Sequence, residues 1–187
     1  LLVMSSSIKN RKEKTEMQEW LKEIPFSHFI TIEPTPSLPF KLDEIQQRMR
    51  LIEFWLNKRY LKSSFSNWKD ENRFWMVGFK EGGGLSHSQT HYHILLHSPD
   101  VLHRKIKLAN IGADLQMGWM LTPSKNPFTG KMRSFSSDGE NPLDIQQVEN
   151  IIATTIYCSK WINRVDEGED FFFITPPRNI KPILVAV

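Results

Sequence analysis

The sequence predicts a mixed α+β fold: a central antiparallel sheet of about five strands with flanking helices. Three observations predict it. Short runs rich in β-branched and aromatic residues alternate along the chain with longer segments whose apolar residues recur every three or four positions. Two strand-like runs, RFWMVGFKE and THYHILLHS, follow one another across the glycine-rich GGGLSHSQ, the mark of an antiparallel hairpin with a long loop. The resulting order, β-α-β-β-α-β-α-β, places helices between the other strands and contains no internal repeat.

Residues 1–24 read as a polar tail with a short helix, KTEMQEWLKEI, whose Met17, Trp20, Leu21 and Ile24 fall at helical spacing. Residues 25–187 read as one domain. Its first strand is SHFITIE, closed by the breaker PTPSLP. From Lys41 to Leu61 the positions Leu42, Ile45, Met49, Ile52, Trp55 and Leu56 form one apolar helical face. Asp43 and Glu44 in its first turn, with Lys58 and Arg59 in its last, agree with the helix dipole. The hairpin follows, its two strands expected in the middle of the sheet with the helices mainly on the face away from the histidines. Residues 101–119 read as a helix and 121–142 as a turn-rich surface loop. LDIQQV is a strand, ENIIATTIYCSKWI a helix and DFFFIT the last strand.

Of the 187 residues, 40% are hydrophobic, which supports a packed core and excludes wholesale disorder. No apolar run approaches the ~20 residues of a membrane span, and LLVMSSS lacks the charged start of a secretion signal. The single cysteine, Cys158, excludes a disulfide framework and a cysteine-rich zinc module. A cytoplasmic protein without a membrane partner is expected. The net charge of +3 is unevenly spread. Between residues 101 and 133, Arg104, Lys105, Lys107, Lys125, Lys131 and Arg133 stand against the single acid Asp114. Such a stretch permits a polyanionic partner without demanding one.

Five of the six histidines fall between residues 87 and 103. On a strand, His91 and His93 point to one face, and Tyr92, Ile94 and Leu96 to the other. Two imidazoles about 6–7 Å apart converge on one cation when their rotamers lean inward. Glu81, at the end of the preceding strand and ~4.8 Å across the ladder, supplies a third ligand. Two imidazoles and a carboxylate leave positions open for water and substrate oxygens, which suits Mn²⁺ or Mg²⁺ better than a closed zinc site. His87 and His103 are expected as non-ligands, and His97 as a neighbour of the ligands or a core residue.

Tyr157 lies on the penultimate helix, with Lys160 three residues on and on the same face. A phenol of ordinary pKa near 10 is a poor nucleophile, so an ammonium one turn away or a metal-bound phosphate is needed to favour the phenolate. Tyr92 points away from the histidines, and Tyr60 ends a long helix without a paired motif.

Taken in order, HFITIE, then FKEGGG with THYHILLH, then IIATTIYCSKW resembles the three motifs of the HUH endonucleases, in the replication-initiator (Rep) branch and its related transposases. The resemblance runs from about Phe29 to Lys160. It matches His91 and His93 to the histidine–hydrophobic–histidine motif, Glu81 to the acidic ligand, and Tyr157 with Lys160 to the tyrosine-plus-lysine motif. It implies a nicking and strand-transfer reaction on single-stranded or hairpin origin DNA, in rolling-circle replication or transposition, through a 5′-phosphotyrosine on Tyr157. Arg48, Arg50, Lys58 and Arg59 of the long helix, with Arg104, Lys105, Lys107, Lys131 and Arg133, would follow the phosphates. Many relatives carry a helicase after the nuclease. Here the GK of FTGKMRS is preceded by Lys125 at the position where a phosphate loop needs glycine and followed by Met132 in place of Ser or Thr, so no nucleotide cofactor is expected. A helicase would come from the host or from a further domain. Two other classes fit the residues. A metal-dependent hydrolase would use Glu81, His91 and His93 with an activated water and need no Tyr157. A non-catalytic basic DNA-binding module would use the histidines only structurally.

Overall fold

The computed structural model describes residues 5–6, 11–34, 40–62, 69–82, 90–103, 107–122, 124–125, 132–133, 142–160 and 171–174. Its elements are β1 (Ser5–Ser6), α1 (Arg11–Lys22), β2 (Phe26–Ile32), α2 (Leu42–Leu61), β3 (Trp75–Glu81), β4 (His91–His97), α3 (Asp100–His103), α4 (Leu108–Leu121), β5 (Ser124–Lys125), β6 (Met132–Arg133), β7 (Leu143–Gln147), α5 (Ile151–Ser159) and β8 (Phe171–Phe173). The main sheet has the order β1-β8-β3-β4-β2-β7, with every pairing antiparallel. The α+β class and antiparallel sheet expected from the pattern are present, with β3 and β4 in the middle. The β2-α2-β3-β4-α4-β7 segment is a βαββαβ unit, which β8 and then β1 extend beyond β3. The extra strand, β1, is two residues long and carries no alternation that a sequence pattern could detect.

Two cores flank the sheet. On one face, Ile30, Ile32, Met76, Tyr92, Ile94 and Leu96 pack under α2 and α4. On the other, Phe26, Trp75, Val77, Phe79, Leu95 and Phe173 pack under α1 and α5, through Met17, Leu21 and Cys158. Helices therefore cover both faces, and α1 is built into the same fold rather than standing apart as a tail. The reason is in β3 itself. WMVGFKE is apolar at successive positions, and Trp75 to Phe79 are all buried, the pattern of a strand that needs cover on both sides. Phe172 of β8 crosses Gly78 of β3 so closely that a Cβ there would stand 2.2 Å from its ring.

Two stretches differ from expectation. Residues 101–119 form the separate helices α3 and α4 rather than one helix. Within residues 121–142, β5 and β6 pair as a small ribbon rather than a loop without strands. No described helix is long and apolar enough to cross a membrane.

Candidate metal centre

β3 ends at Glu81 because Gly82 turns the chain with φ 74°, a left-handed conformation that a side chain disfavours. In the ladder Glu81 lies directly opposite His91, and Phe79 opposite His93. Cross-strand partners project to the same side, so the carboxylate and both imidazoles meet on one face at the strand ends. Oε2 of Glu81 lies 2.6 Å from Nε2 of His93 and 3.2 Å from Nε2 of His91. One ligand atom from each residue falls within 4.8 Å of the others.

These three residues could hold a metal ion. Ligands at right angles on an ion with bonds of ~2.1 Å lie about 3 Å apart, close to the two carboxylate–imidazole separations. Glu81 is buried, and a buried carboxylate demands partners. Lys160 provides one, its Nζ standing 2.8 Å from Oε1. One oxygen thus faces the lysine and the other faces the imidazoles. His93 is buried, while the side chain of His91 is 27% exposed and marks the side from which another ligand can enter.

The ring of His93 is held on its far side as well. Thr31, opposite it on β2, places Oγ1 3.3 Å from Nδ1, and Phe29 stacks on the ring at 5.2 Å between centroids. A hydroxyl can donate or accept. Thr31 therefore suits the tautomer that donates from Nε2 to Glu81, and equally the one that leaves Nε2 open for a metal and donates from Nδ1. Burial pushes the His93 pKa below its ordinary value, outweighing the hydrogen bond and charge of Glu81, which act the other way.

α5 brings the tyrosine and lysine to this cluster. Asn150 caps its start, accepting from the backbone N–H of Ala153 at 3.0 Å. Cys158 is buried against the sheet, which turns Tyr157 toward the site. The Tyr157 ring meets that of His93 edge-on at 5.1 Å and that of Phe29 at 6.0 Å. Lys160 stands 3.8 Å over the tyrosine ring while pairing with Glu81. For Lys160, burial is the largest single influence and pulls its pKa down, but the hydrogen bond and charge of Glu81 together raise it. The ammonium is charged across the neutral range. Desolvation raises the Cys158 pKa, so its thiol is a packing group rather than a ligand.

The five residues chosen from sequence for chemistry, Glu81, His91, His93, Tyr157 and Lys160, are brought together. The other tyrosines are placed elsewhere. Tyr92 is buried on the opposite face, its phenol pushed up to about 12 by desolvation, and the Tyr60 hydroxyl is bonded to Asp114. His97 is a core residue, with Nδ1 3.1 Å from the Arg73 carbonyl and its ring stacked on Trp75. His87 lies outside the described residues, and His103 ends α3.

Among the described residues, the expected phosphate-tracking residues do not gather at the site. Arg48 is buried and donates to the carbonyls of Trp119 and Thr122 at 2.5 and 2.9 Å, closing the end of α4. It belongs to the core and not to a DNA surface, because a helix end without partners would leave those carbonyls unsatisfied. Arg50 donates to the Ile174 carbonyl at 3.2 Å, and Arg59 pairs with Asp114 at 2.9 Å. Lys58 and Lys107 are exposed, but with α2 and α4 they belong to the face away from Tyr157. Arg133 lies in β6, and Arg104, Lys105 and Lys131 lie outside the described residues. Sequence reasoning missed Thr31 and Phe29. Their alternation in HFITIE was visible, but nothing local to the sequence tells which strand they would border.

Comparison with protein-family models, with curated proteins and with solved structures finds no match to this chain.

Proposed function

We propose that the chain is a metal-dependent nickase and strand transferase of single-stranded DNA, with Tyr157 as nucleophile. The observation that carries this reading is the meeting of Tyr157, Lys160 and the Glu81–His91–His93 cluster on one face, with Lys160 touching both halves. A hydrolase working through a bound water has no use for a half-exposed tyrosine edge-on to a ligand histidine.

Glu81, His91 and His93 would hold Mn²⁺ or Mg²⁺, which when bound supplies Lewis-acid stabilisation of charge on a scissile phosphate. The phenolic oxygen of Tyr157 attacks phosphorus, the P–O3′ bond breaks, and the 3′-hydroxyl leaves after gaining a proton. The 5′ phosphate stays on Tyr157 as a diester, so a later 3′-hydroxyl can reverse the step and reseal a strand. Lys160 keeps positive charge beside the phenol and the phosphate throughout. The substrate is single-stranded or melted, since a tyrosine on a packed helix does not reach into a duplex. Rolling-circle initiation and transposition share this chemistry.

The test is a denaturing gel of the protein incubated with labelled single-stranded oligonucleotides and Mn²⁺. An SDS-resistant adduct should form, and should vanish with chelator and in Tyr157→Phe. Cleavage that persists in Tyr157→Phe without an adduct would establish the hydrolase instead. Calorimetry on a His91→Ala, His93→Ala double variant should show divalent binding lost.

A further inference from the structure

α5 carries the tyrosine, yet it is short and poorly anchored by its own sequence. It spans Ile151–Ser159, and its buried residues are only Thr155, Cys158 and Ser159. Ile152, Ile156 and Tyr157 are exposed. A helix of this length is unstable alone and takes its position from what it packs against.

What it packs against at its C-terminal turn is α1. Gln18 donates from Nε2 to the Ser159 hydroxyl at 2.8 Å, and that hydroxyl donates on to the Thr155 carbonyl at 2.7 Å. Lys14 donates from Nζ to the Lys160 carbonyl at 3.0 Å. Lys14 and Gln18 are four residues apart, so they share a helical face. Beside them Met17 and Leu21 bury against the core that also holds Cys158. Both bonds fall on the turn that begins at Tyr157 and ends at Lys160. One satisfies a carbonyl at the helix end, and the other a buried hydroxyl.

We infer that Lys14 and Gln18 are positioning residues for the nucleophile. α1 sets the approach of Tyr157 and Lys160 to the metal ligands without touching the ligands or the DNA. The inference rests on the reading of Tyr157 as nucleophile, but the clamp itself can be measured without that reaction. A misplacement of ~1 Å at a reacting atom is worth about 100-fold in rate, so two bonds at this turn are enough to matter.

The experiment compares the full chain with a Lys14→Met, Gln18→Ala double variant and with Lys12→Ala, an exposed change on the same helix as control. Labelling of Cys158 by a thiol reagent under native conditions reports opening of α5, since the chain has one cysteine. Labelling should speed up about tenfold in the double variant and stay unchanged in the control. Mn²⁺ affinity by calorimetry should stay within about threefold, because the ligands lie on β3 and β4. Adduct formation at saturating oligonucleotide should slow about 10- to 100-fold with little change in the half-saturating DNA concentration. Lys14→Arg, which keeps a donor, should restore most of the rate lost in Lys14→Met alone. Unchanged labelling would overturn the clamp, and faster labelling with an unchanged rate would overturn its positioning role. If the wild-type chain forms no adduct, the nucleophile reading and the positioning role fall together, and labelling still decides whether α1 holds α5.

Discussion

Lys160 and Glu81 join the two halves of the site through one carboxylate: the ammonium takes Oε1 at 2.8 Å and leaves Oε2 to the imidazoles. The lysine is therefore poised to affect the tyrosine more than the metal. In Lys160→Met, Mn²⁺ affinity should change by no more than about tenfold. The rate of adduct formation should fall about 100-fold, the scale of losing one oriented charge beside a developing anion. Single-turnover gels with calorimetry on the same preparation separate the two, and a full rate in the variant would remove Lys160 from the reaction.

Stability of the metal-free protein should fall in mild acid through His93. Its folded pKa lies below the ordinary 6.5 because it is buried. Above pH 6.5 the ring is neutral in both states and its contribution is fully present. Below that, the unfolded chain takes up the proton first, and stability declines until the folded pKa is passed. The decline should set in as pH falls below 6.5. Urea midpoints across this range should show it, with a flatter profile in His93→Gln. Metal should weaken in the same direction, since protons compete for the imidazoles.

Arg48 and Lys58 should separate stability from binding. Arg48→Met removes two hydrogen bonds to carbonyls at the end of α4 and should destabilise by about 1–3 kcal/mol in urea. It should leave the salt dependence of DNA binding unchanged. Lys58→Ala should leave the urea midpoint in place, and should also leave the salt slope unchanged if DNA binds on the Tyr157 face. A slope reduced by about one in Lys58→Ala would move the DNA to the α2 face.

Gly78 should tolerate no side chain. A methyl there meets the Phe172 ring at 2.2 Å, so β8 must shift or the ring must turn. Gly78→Ala should cost about 1–3 kcal/mol in urea unfolding. Adding Phe172→Leu should recover part of the loss. Additive losses in the double variant would mean the ring is not the obstacle.

The elements that repeat their pattern were legible from the residues. β3 and β4 announced themselves by composition and by the loop between them, and strand alternation alone put His91 and His93 on the face opposite Tyr92. The Glu81–His91 pairing was legible because a hairpin makes its contacts locally. What escaped was set by long-range packing. Met17, Trp20 and Leu21 gave α1 an apolar stripe, but not the knowledge that it covers β3. HFITIE displayed Phe29 and Thr31 on one face without saying that β2 would lie beside β4. The basic residues of α2 were expected to follow phosphates, whereas Arg48 is buried and closes a helix end. A strand apolar without alternation, as β3 is from Trp75 to Phe79, was the available sign that both faces would be covered.

The candidate site is assembled from distant parts of the chain. The residues that could hold a metal come from one hairpin near the middle, Tyr157 from a helix well beyond it, and the support of that helix from α1 near the start. During synthesis the ribosome delivers α1 and the Glu81–His91–His93 hairpin first and Tyr157 later, so on the proposed reading a capacity to cut a strand would arise after a capacity to bind an ion. Because Met17, Trp20 and Leu21 of α1 are buried in the core beside β3, loss of α1 would also strip the cover from the strand that carries Glu81.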